Sequence, residues 1–204
     1  MAEKPATGLR ERNRLQNRER IYRAAVSLII ERGFDVTTMD DIAVRAEAAR
    51  RTVFNHFPTK GEITHEWADR RRARAEEAAQ QSIGNSGTVI DRLRAFFHEL
   101  VGITEESPEE TRQMLIGWLI SQGPIYNRAR MPANLSLWIA AGRDDGTVNP
   151  KVDPLLAAEV LYDVYMGVLF RWLREDTPEP GRLEADLVEA IDLVLAGLQP
   201  SASA

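Results

Sequence analysis

Apolar residues recur every three to four positions along most of this chain, which is the spacing of one face of an α-helix. The stripe between Ile21 and Ile29 predicts a first helix over about residues 14–32, and Gly33 is a typical stop signal after it. Later stripes predict helices at about 60–83, 89–106, 108–121, 124–141, 154–175 and 183–198. No segment keeps the two-residue alternation of a strand, so we predict an all-α chain with about nine helices.

Two shorter helices fit between residues 38 and 60. Thr38 and Asp41 have the spacing of a capping box, which predicts the start of the second helix. A tight turn near Glu47 separates it from a third helix over about 50–56, which Pro58 prevents from continuing. Two short helices joined in this way are typical of a helix-turn-helix that enters the major groove of DNA.

The third helix carries the candidate base-reading chemistry. Arginine can grip guanine O6 and N7 with two hydrogen bonds, and asparagine can do the same for adenine N6 and N7. Helical spacing predicts that Val53, Phe54 and Phe57 form the buried side or its edges. The predicted DNA-binding residues are Arg50, Arg51, Thr52, Asn55, His56, Lys60 and Thr38. Four arginines nearer the N-terminus are candidates for tracking the DNA backbone or minor groove: Arg10, Arg12, Arg14 and Arg18.

Charge is distributed unevenly. The net charge of the chain is −5, which by itself argues against a nucleic-acid partner. However, residues 1–60 hold 12 Lys and Arg against 8 Asp and Glu, while the remainder holds 14 against 23. A basic head on an acidic body indicates a local contact with a polyanion.

Composition also sets the expected domain boundaries. We expect a flexible basic arm over residues 1–12 and a helix-turn-helix domain over 13–60. The fourth helix, at about 60–83, links this domain to the rest, and Gly84-Asn85-Ser86-Gly87 is the clearest break. Residues 84–204 are then a ligand-binding and dimerisation domain.

The head resembles the DNA-binding domain of the tetracycline-repressor (TetR) family over about residues 15–67. The resemblance rests on the pattern Phe34-x-x-Thr37-Thr38, then Asp41-Ile42-Ala43, then Arg51-Thr52-x-Phe54-x-His56-Phe57-Pro58-x-Lys60. It implies that the third helix reads bases and that the protein is a two-fold dimer. It also implies that Arg50, Arg51 and Thr52 face bases, that Asn55 and His56 lie at the groove edge or phosphates, and that Lys60 contacts a phosphate.

Two residues depart from the family pattern. Glu47 stands where the family usually has glycine, and Ala49 where a helix-capping serine is common. A side chain at a left-handed turn position costs about 1 kcal/mol, and a lost cap costs about as much.

The body contains a helix that is apolar nearly all round, over residues 155–173. Such a helix must be buried on two sides, which predicts a dimer built from this helix and the last one. The alternative is a monomer with a buried central helix. The predicted interface residues are Val160, Val164, Gly167, Val168, Leu187, Ile191, Val194 and Leu198.

Large side chains spread over the middle helices are candidates for a small-molecule pocket, since such sites have apolar walls with a few polar groups. Aromatic residues at helical spacing are also typical of plain core. The candidate pocket residues are Phe97, Val101, Met114, Trp118, Tyr126, Trp138, Tyr162 and Met166.

Other chemistries find little support in the residues. The chain has no cysteine, no visible signal peptide and no apolar run long enough to span a bilayer, so we expect a cytoplasmic protein. Glu62 and His65 have the spacing of di-iron bundles, but that motif occurs once where two are needed. We therefore expect no metal, no cofactor and no enzymatic activity.

The sequence thus predicts a transcriptional regulator that a small, largely apolar effector releases from a palindromic operator. Its partners are double-stranded DNA, a second copy of the chain and the effector, with no membrane. A small helical enzyme or metal-binding bundle, and a ligand-sensing activator, are the alternatives.

Overall fold

The computed structural model describes residues 6–84, 87–121, 130–175 and 179–199. Across these residues the chain is all-α, as predicted, with nine helices and no strand. The helices are α1 Ala6–Arg32, α2 Met39–Arg45, α3 Arg50–His56, α4 Lys60–Ile83, α5 Val89–Glu105, α6 Pro108–Ile120, α7 Arg130–Asp144, α8 Pro154–Leu173 and α9 Arg182–Leu198.

The first helix is longer than the sequence predicts. It begins at Ala6, so residues 6–12 are helical and the expectation of a flexible arm over them is wrong. Leucine and arginine are good helix formers, and an ion pair of 2.7 Å between Glu11 and Arg14 joins neighbouring positions on the helix surface. These local preferences outweigh Gly8, whose cost within a helix is only about 1 kcal/mol.

The chain divides into two compact units. The first comprises Met1–Ala68 and Glu109–Tyr126, and the second comprises Asp69–Pro108 and Asn127–Ala204. α4 therefore begins in the first unit and ends in the second. Residues 109–121 group with the helix-turn-helix rather than with the rest of 84–204.

The first unit has its own apolar core, built from α1, α2, α3 and the start of α4. Ile21, Ile42, Val53, Phe57 and Ile63 are completely buried in it. Gly33 ends α1 in the left-handed conformation, with φ of 94°, as the sequence predicts.

α6 belongs to this core through two close contacts. Gly117 faces the ring of Phe34 so closely that any β-carbon at position 117 would overlap it. The indole nitrogen of Trp67 donates a 2.7 Å hydrogen bond to the carboxylate of Glu110 on the same helix. The missing side chain of Gly117 lets α6 approach Phe34 closely, and the carboxylate of Glu110 accepts the hydrogen bond of Trp67 at the same contact.

The second unit is a helical bundle in which α8 packs against α7 and α9, and α9 packs against α5. Its buried apolar side chains come from all four helices, with Leu93, Ile139, Leu161 and Leu187 fully covered. Polar links tie the same helices at the surface, such as the 2.8 Å pair of Arg94 on α5 with Asp192 on α9.

Candidate nucleic-acid interface

The turn between α2 and α3 holds a strained residue. Glu47 has φ of 47°, and no other non-glycine residue that the structure describes has a positive φ. The amide of Ala48 donates to the carbonyl of Ala43 at 3.0 Å, which closes the turn. The family's preference for glycine at this position therefore has a physical basis, and glutamate occupies it here at a cost of about 1–2 kcal/mol.

α3 starts without a side-chain cap. Ala49 stands at the N-cap in extended conformation and supplies no side-chain hydrogen bond. The helix is held instead by burial, since Val53 and Phe57 are both completely covered by the head core. Tertiary packing thus substitutes for the missing cap.

The opposite face of α3 is open to solvent. Arg50, Arg51, Phe54 and Asn55 are exposed, while Thr52 is half-buried. Phe54, expected on the buried side or its edge, has 37% of its surface exposed. α3 therefore presents two guanidinium groups and one amide, the chemistry that reads base edges in a major groove.

Thr38 begins α2 rather than standing free. Its hydroxyl accepts from the amide of Asp41 at 3.1 Å and lies 2.6 Å from a carboxylate oxygen of Asp41, which confirms the predicted capping box. Hydrogen bonds that the hydroxyl and the amide of Thr38 donate to the carboxylate of Asp41 lower the pKa of that carboxyl. The hydroxyl of Thr38 is thus already engaged in capping α2, and a DNA contact by this residue stays a prediction.

Arg18 has a role that the sequence did not indicate. Its guanidinium donates to the carbonyl of His56 at 2.6 Å, pairs with Glu66 at 2.7 Å and lies 4.2 Å from the ring centroid of Phe57. The side chain thus joins α1, α3 and α4 within the head. Because these three partners already engage the guanidinium, DNA tracking by Arg18 stays a prediction.

His56 is half-buried at the end of α3. Burial lowers the pKa of its imidazole, and the charges of Arg18 and Arg14 lower it further. Both effects favour the neutral imidazole, which can donate or accept a hydrogen bond.

Lys60 also points into the protein. Its Nζ donates to the carbonyl of Phe34 at 2.6 Å and lies 4.4 Å from the ring centroid of the same residue. Burial lowers the pKa of this ammonium. Because its charge is engaged with the loop after α1, the phosphate contact implied by the family resemblance stays a prediction. Of the remaining basic candidates, Arg10, Arg12 and Arg14 are exposed along the start of α1.

The predicted pocket residues are not brought together. Met114 is fully buried in the head core, apart from the candidates of the second unit, and its place in a ligand pocket stays a prediction. Trp118 is half-buried and also belongs to the first unit, whereas Tyr126 lies outside the described residues. Five candidates do share the second unit: Phe97 and Val101, which are buried, and Trp138, Tyr162 and Met166, which are half-buried.

Aromatic side chains of the second unit form a connected group. Phe96 meets Trp138 edge to face with ring centroids 5.5 Å apart, and Phe97 lies 6.1 Å from Tyr165. Burial raises the pKa of Tyr162 to about 12 and also raises the pKa of the fully covered Tyr165. Both hydroxyls therefore keep their protons at neutral pH, and the hydroxyl of Tyr165 is hydrogen-bonded with Thr104. Tyr165 was not among the sequence candidates, although it belongs to the same apolar helix.

Half of the predicted dimer residues face inward. Val168, Leu187, Ile191 and Leu198 are buried within one chain, so their assignment to an interface between chains is wrong. The stripe of α9 covers the core of its own unit, and helical periodicity alone cannot tell a core from an interface. The other four predicted residues are exposed or half-buried: Val160, Val164, Gly167 and Val194.

The described residues show neither a metal site nor a membrane span. Within them, no group of three or more His, Asp or Glu side chains is arranged to hold a metal ion. Similarly, no helix in the described ranges combines the length and the apolar character needed to cross a bilayer.

Comparison with known proteins identifies relatives of both the head and the whole chain. Residues 21–66 match the model for bacterial regulatory proteins of the tetR family. An uncharacterised HTH-type transcriptional regulator of Bacillus subtilis, YhgD, is 26% identical over 86% of this chain and 94% of its own length. The HTH-type transcriptional repressor KstR of Mycolicibacterium smegmatis is 23% identical over 78% of this chain and 77% of its own.

Solved structures give the same picture. The crystal structure of Thermus thermophilus FadR, a TetR-family transcriptional repressor in complex with lauroyl-CoA, aligns with a TM-score of 0.72 and 27% identity. The alignment covers 92% of this chain and 98% of that one. SmeT in complex with triclosan aligns with a TM-score of 0.64 and 24% identity over 92% and 93% of the two chains, which supports the fold.

Proposed function

We propose that this chain, as a member of the TetR family of bacterial regulatory proteins, is a homodimeric repressor. In this proposal a small molecule releases the repressor from a palindromic operator. That it is a DNA-binding transcriptional regulator follows from its relatives, which are regulators and not enzymes. Repression, dimerisation and the effector are the proposed parts. We also propose that it acts in the cytoplasm, where its DNA target lies.

The solvent-facing side of α3 is the observation that supports DNA reading most directly. Arg50, Arg51 and Asn55 are exposed together on a helix whose other side is locked into the head core. A rigid helix with exposed bidentate donors is what major-groove recognition requires. The net positive charge of residues 1–60 adds an attraction that does not depend on sequence.

The dimer surface that we propose combines the outward sides of α8 and α9. Val160 on α8 and Leu193 on α9 are large apolar side chains with 39% and 79% of their surface exposed. A β-carbon at Gly197 would meet no atom of the same chain within 4 Å, and one at Gly167 would meet only a side-chain tip at 3.9 Å. Exposed apolar residues beside open glycines fit close packing against the same helices of a second copy.

The effector site that we propose lies among the aromatic residues of the second unit. Phe97 and Trp138 supply apolar surface, while Tyr162 and Tyr165 supply protonated hydroxyls. FadR was crystallised with lauroyl-CoA, so long-chain acyl-CoA thioesters are the first compounds to test. Because α4 belongs to both units, it is the element we expect to carry movement between them.

The test of DNA reading is a titration of duplex DNA selected from a random library, at two salt concentrations. We expect Arg51→Ala to weaken binding to the selected sequence more than binding to random DNA, because a lost base contact removes discrimination. Equal losses on both DNAs would contradict base reading by α3. Enrichment of a site without two-fold symmetry would contradict the palindrome.

The dimer is tested by light scattering at micromolar concentration. We expect twice the 23.0 kDa mass of one chain, and a shift towards monomer for Leu193→Glu. Leu137→Glu is a matched control, because Leu137 is a comparably exposed leucine, with 69% of its surface open, on α7. A monomeric wild type, or equal dissociation of both variants, would contradict the surface we propose.

The effector is tested by release of the protein from its selected DNA. We expect lauroyl-CoA or a related acyl-CoA to lower the DNA affinity of the wild type, whereas coenzyme A alone does not. An effector can shift the equilibrium only through its different affinities for the two states. Tighter DNA binding with the ligand would support an effector-dependent co-repressor or activator instead.

A further inference from the structure

An acidic side chain lies directly beside the base-reading face of α3. Asp40 is the second residue of α2, and its Oδ1 lies 2.9 Å from Nε of Arg50, the first residue of α3. The capping box of α2 is formed by Thr38 and Asp41, so Asp40 has no part in that cap. The carboxylate therefore faces the neighbouring helix and not its own.

The guanidinium of Arg50 is held from a second side. It lies 5.5 Å from the ring centroid of Phe54, which follows it by one helical turn on α3. An arginine within about 6 Å of an aromatic face is attracted by the ring, and residues four apart on a helix are neighbours. Asp40 and Phe54 together restrict where this long side chain can lie.

Stability does not explain this ion pair. The side chains of Arg50 and Asp40 are 70% and 60% exposed, and exposed pairs contribute little to folding. A carboxylate close to DNA also repels phosphates and so weakens binding to every sequence. Asp40 also lies in the first turn of α2, where a carboxylate interacts favourably with the helix dipole, but that interaction does not require a contact with Arg50.

We propose that Asp40 is a positioning residue that sets the base specificity of Arg50, which rests on the DNA-binding function proposed above. Its carboxylate approaches the guanidinium at Nε, and in the proposed complex the two terminal nitrogens contact O6 and N7 of a guanine in the major groove. Bidentate recognition needs both donors in one plane at a fixed place, and a freely rotating arginine meets this condition only part of the time. The pair thus sharpens the preference for guanine at one base pair in each half-site.

The experiment is a selection of binding sites from a random duplex library with the full-length protein, followed by titration of single-base variants of the enriched site. The proteins compared are the wild type, Asp40→Ala, Arg50→Ala and the double variant. Glu47→Ala is the matched control, because it removes another exposed acid of the same motif. Circular dichroism melting of each variant establishes that the head is folded.

For Asp40→Ala we expect the preference for guanine over the other bases to fall by at least about five-fold at a single base pair of each half-site, since a bidentate contact discriminates by roughly five-fold or more. Arg50→Ala is expected to remove the preference at the same base pair. Glu47→Ala raises affinity for all sequences alike and leaves that preference within about two-fold of the wild type. In the Arg50→Ala background, Asp40→Ala has no further effect on preference, because its action passes through Arg50.

Two outcomes would overturn the proposal. One is an unchanged guanine preference in Asp40→Ala. The other is a change that persists in the Arg50→Ala background, which would mean that Asp40 reads a base itself, such as the amino group of cytosine. A wild type that enriches no sequence would overturn the proposed function as well, and is thus distinct from a failure of Asp40 alone.

Discussion

The strained turn before α3 gives a prediction that separates backbone conformation from charge. Glu47 adopts φ of 47°, where a β-carbon crowds the following carbonyl at a cost of about 1–2 kcal/mol. Glycine removes that cost but adds about 0.4–1 kcal/mol of conformational entropy to the unfolded chain. We therefore expect Glu47→Gly to stabilise the head by about 0.5–1 kcal/mol.

Glu47→Ala is the control that keeps the β-carbon and removes the charge. Because the side chain is exposed, we expect this variant to leave the stability of the head within about 0.5 kcal/mol of the wild type. Both variants lose the same negative charge near DNA, so both should bind random DNA more tightly and by similar factors. Only the glycine variant should gain stability.

Hydrogen exchange of amides in residues 39–56, followed by mass spectrometry, measures this difference in the head alone. Slower exchange in Glu47→Gly than in Glu47→Ala is the expected result, equivalent to about two- to five-fold. Equal exchange in the two variants would refute the expected gain, because it would mean that the strain at Glu47 does not exceed the entropy that glycine adds to the unfolded chain. Faster exchange in the glycine variant would show that unfolded-state entropy outweighs the strain.

Three further changes test the packing of the molecule. Gly117→Ala should destabilise the first unit by about 1–3 kcal/mol in urea denaturation, because the new methyl group overlaps the ring of Phe34. Gly102→Ala is the control and should be neutral or stabilising, because a β-carbon there has no neighbour within 4 Å outside its own helix backbone. Similar effects of both variants would contradict the close contact. Arg18→Met should destabilise the head by about 2 kcal/mol, because it removes one donor from the carboxylate of Glu66 and one from the carbonyl of His56. A loss of DNA affinity without a loss of stability would instead support DNA tracking. Hydrogen bonds from Arg45 and Ser27 lower the pKa of Glu31 from 4.5 to about 2. The ion pair between α1 and α2 therefore stabilises the fold above pH 4.5, and this stabilisation is lost as the pH falls towards 2. The difference in stability between the wild type and Glu31→Gln should vanish over that range, and a constant difference would contradict the role of the ion pair.

Local sequence signals determined most of the head. The capping box at Thr38, the stop at Gly33 and the end of α3 before Pro58 each depend on residues within a few positions of one another. Such features can be predicted without knowledge of the fold, because the residues that form them are neighbours along the chain. The left-handed turn at Glu47 is different, because only the family resemblance, with its usual glycine, indicated it and glutamate itself does not favour positive φ.

Periodicity also determined which helices have apolar faces, but not what covers those faces. The apolar stripe of α9 predicts contact with a second chain, whereas Leu187 and Ile191 are covered by their own unit. The same kind of pattern makes Met114 a candidate pocket residue, and the structure buries it in the core of the head. Apolar surface is removed from water equally well by either neighbour, so the pattern carries no information on which neighbour it is.

Only the tertiary structure decided where the long charged side chains lie. The sequence predicts that Arg18 and Lys60 contact DNA. In the structure both side chains instead donate to backbone carbonyl oxygens and lie against aromatic rings of residues distant along the chain. The pair of Asp40 with Arg50 was equally invisible, because ten residues and a turn separate its members. A flexible side chain several ångströms long meets whatever partner the fold brings near, and that partner is fixed by the packing of helices and not by the neighbouring sequence.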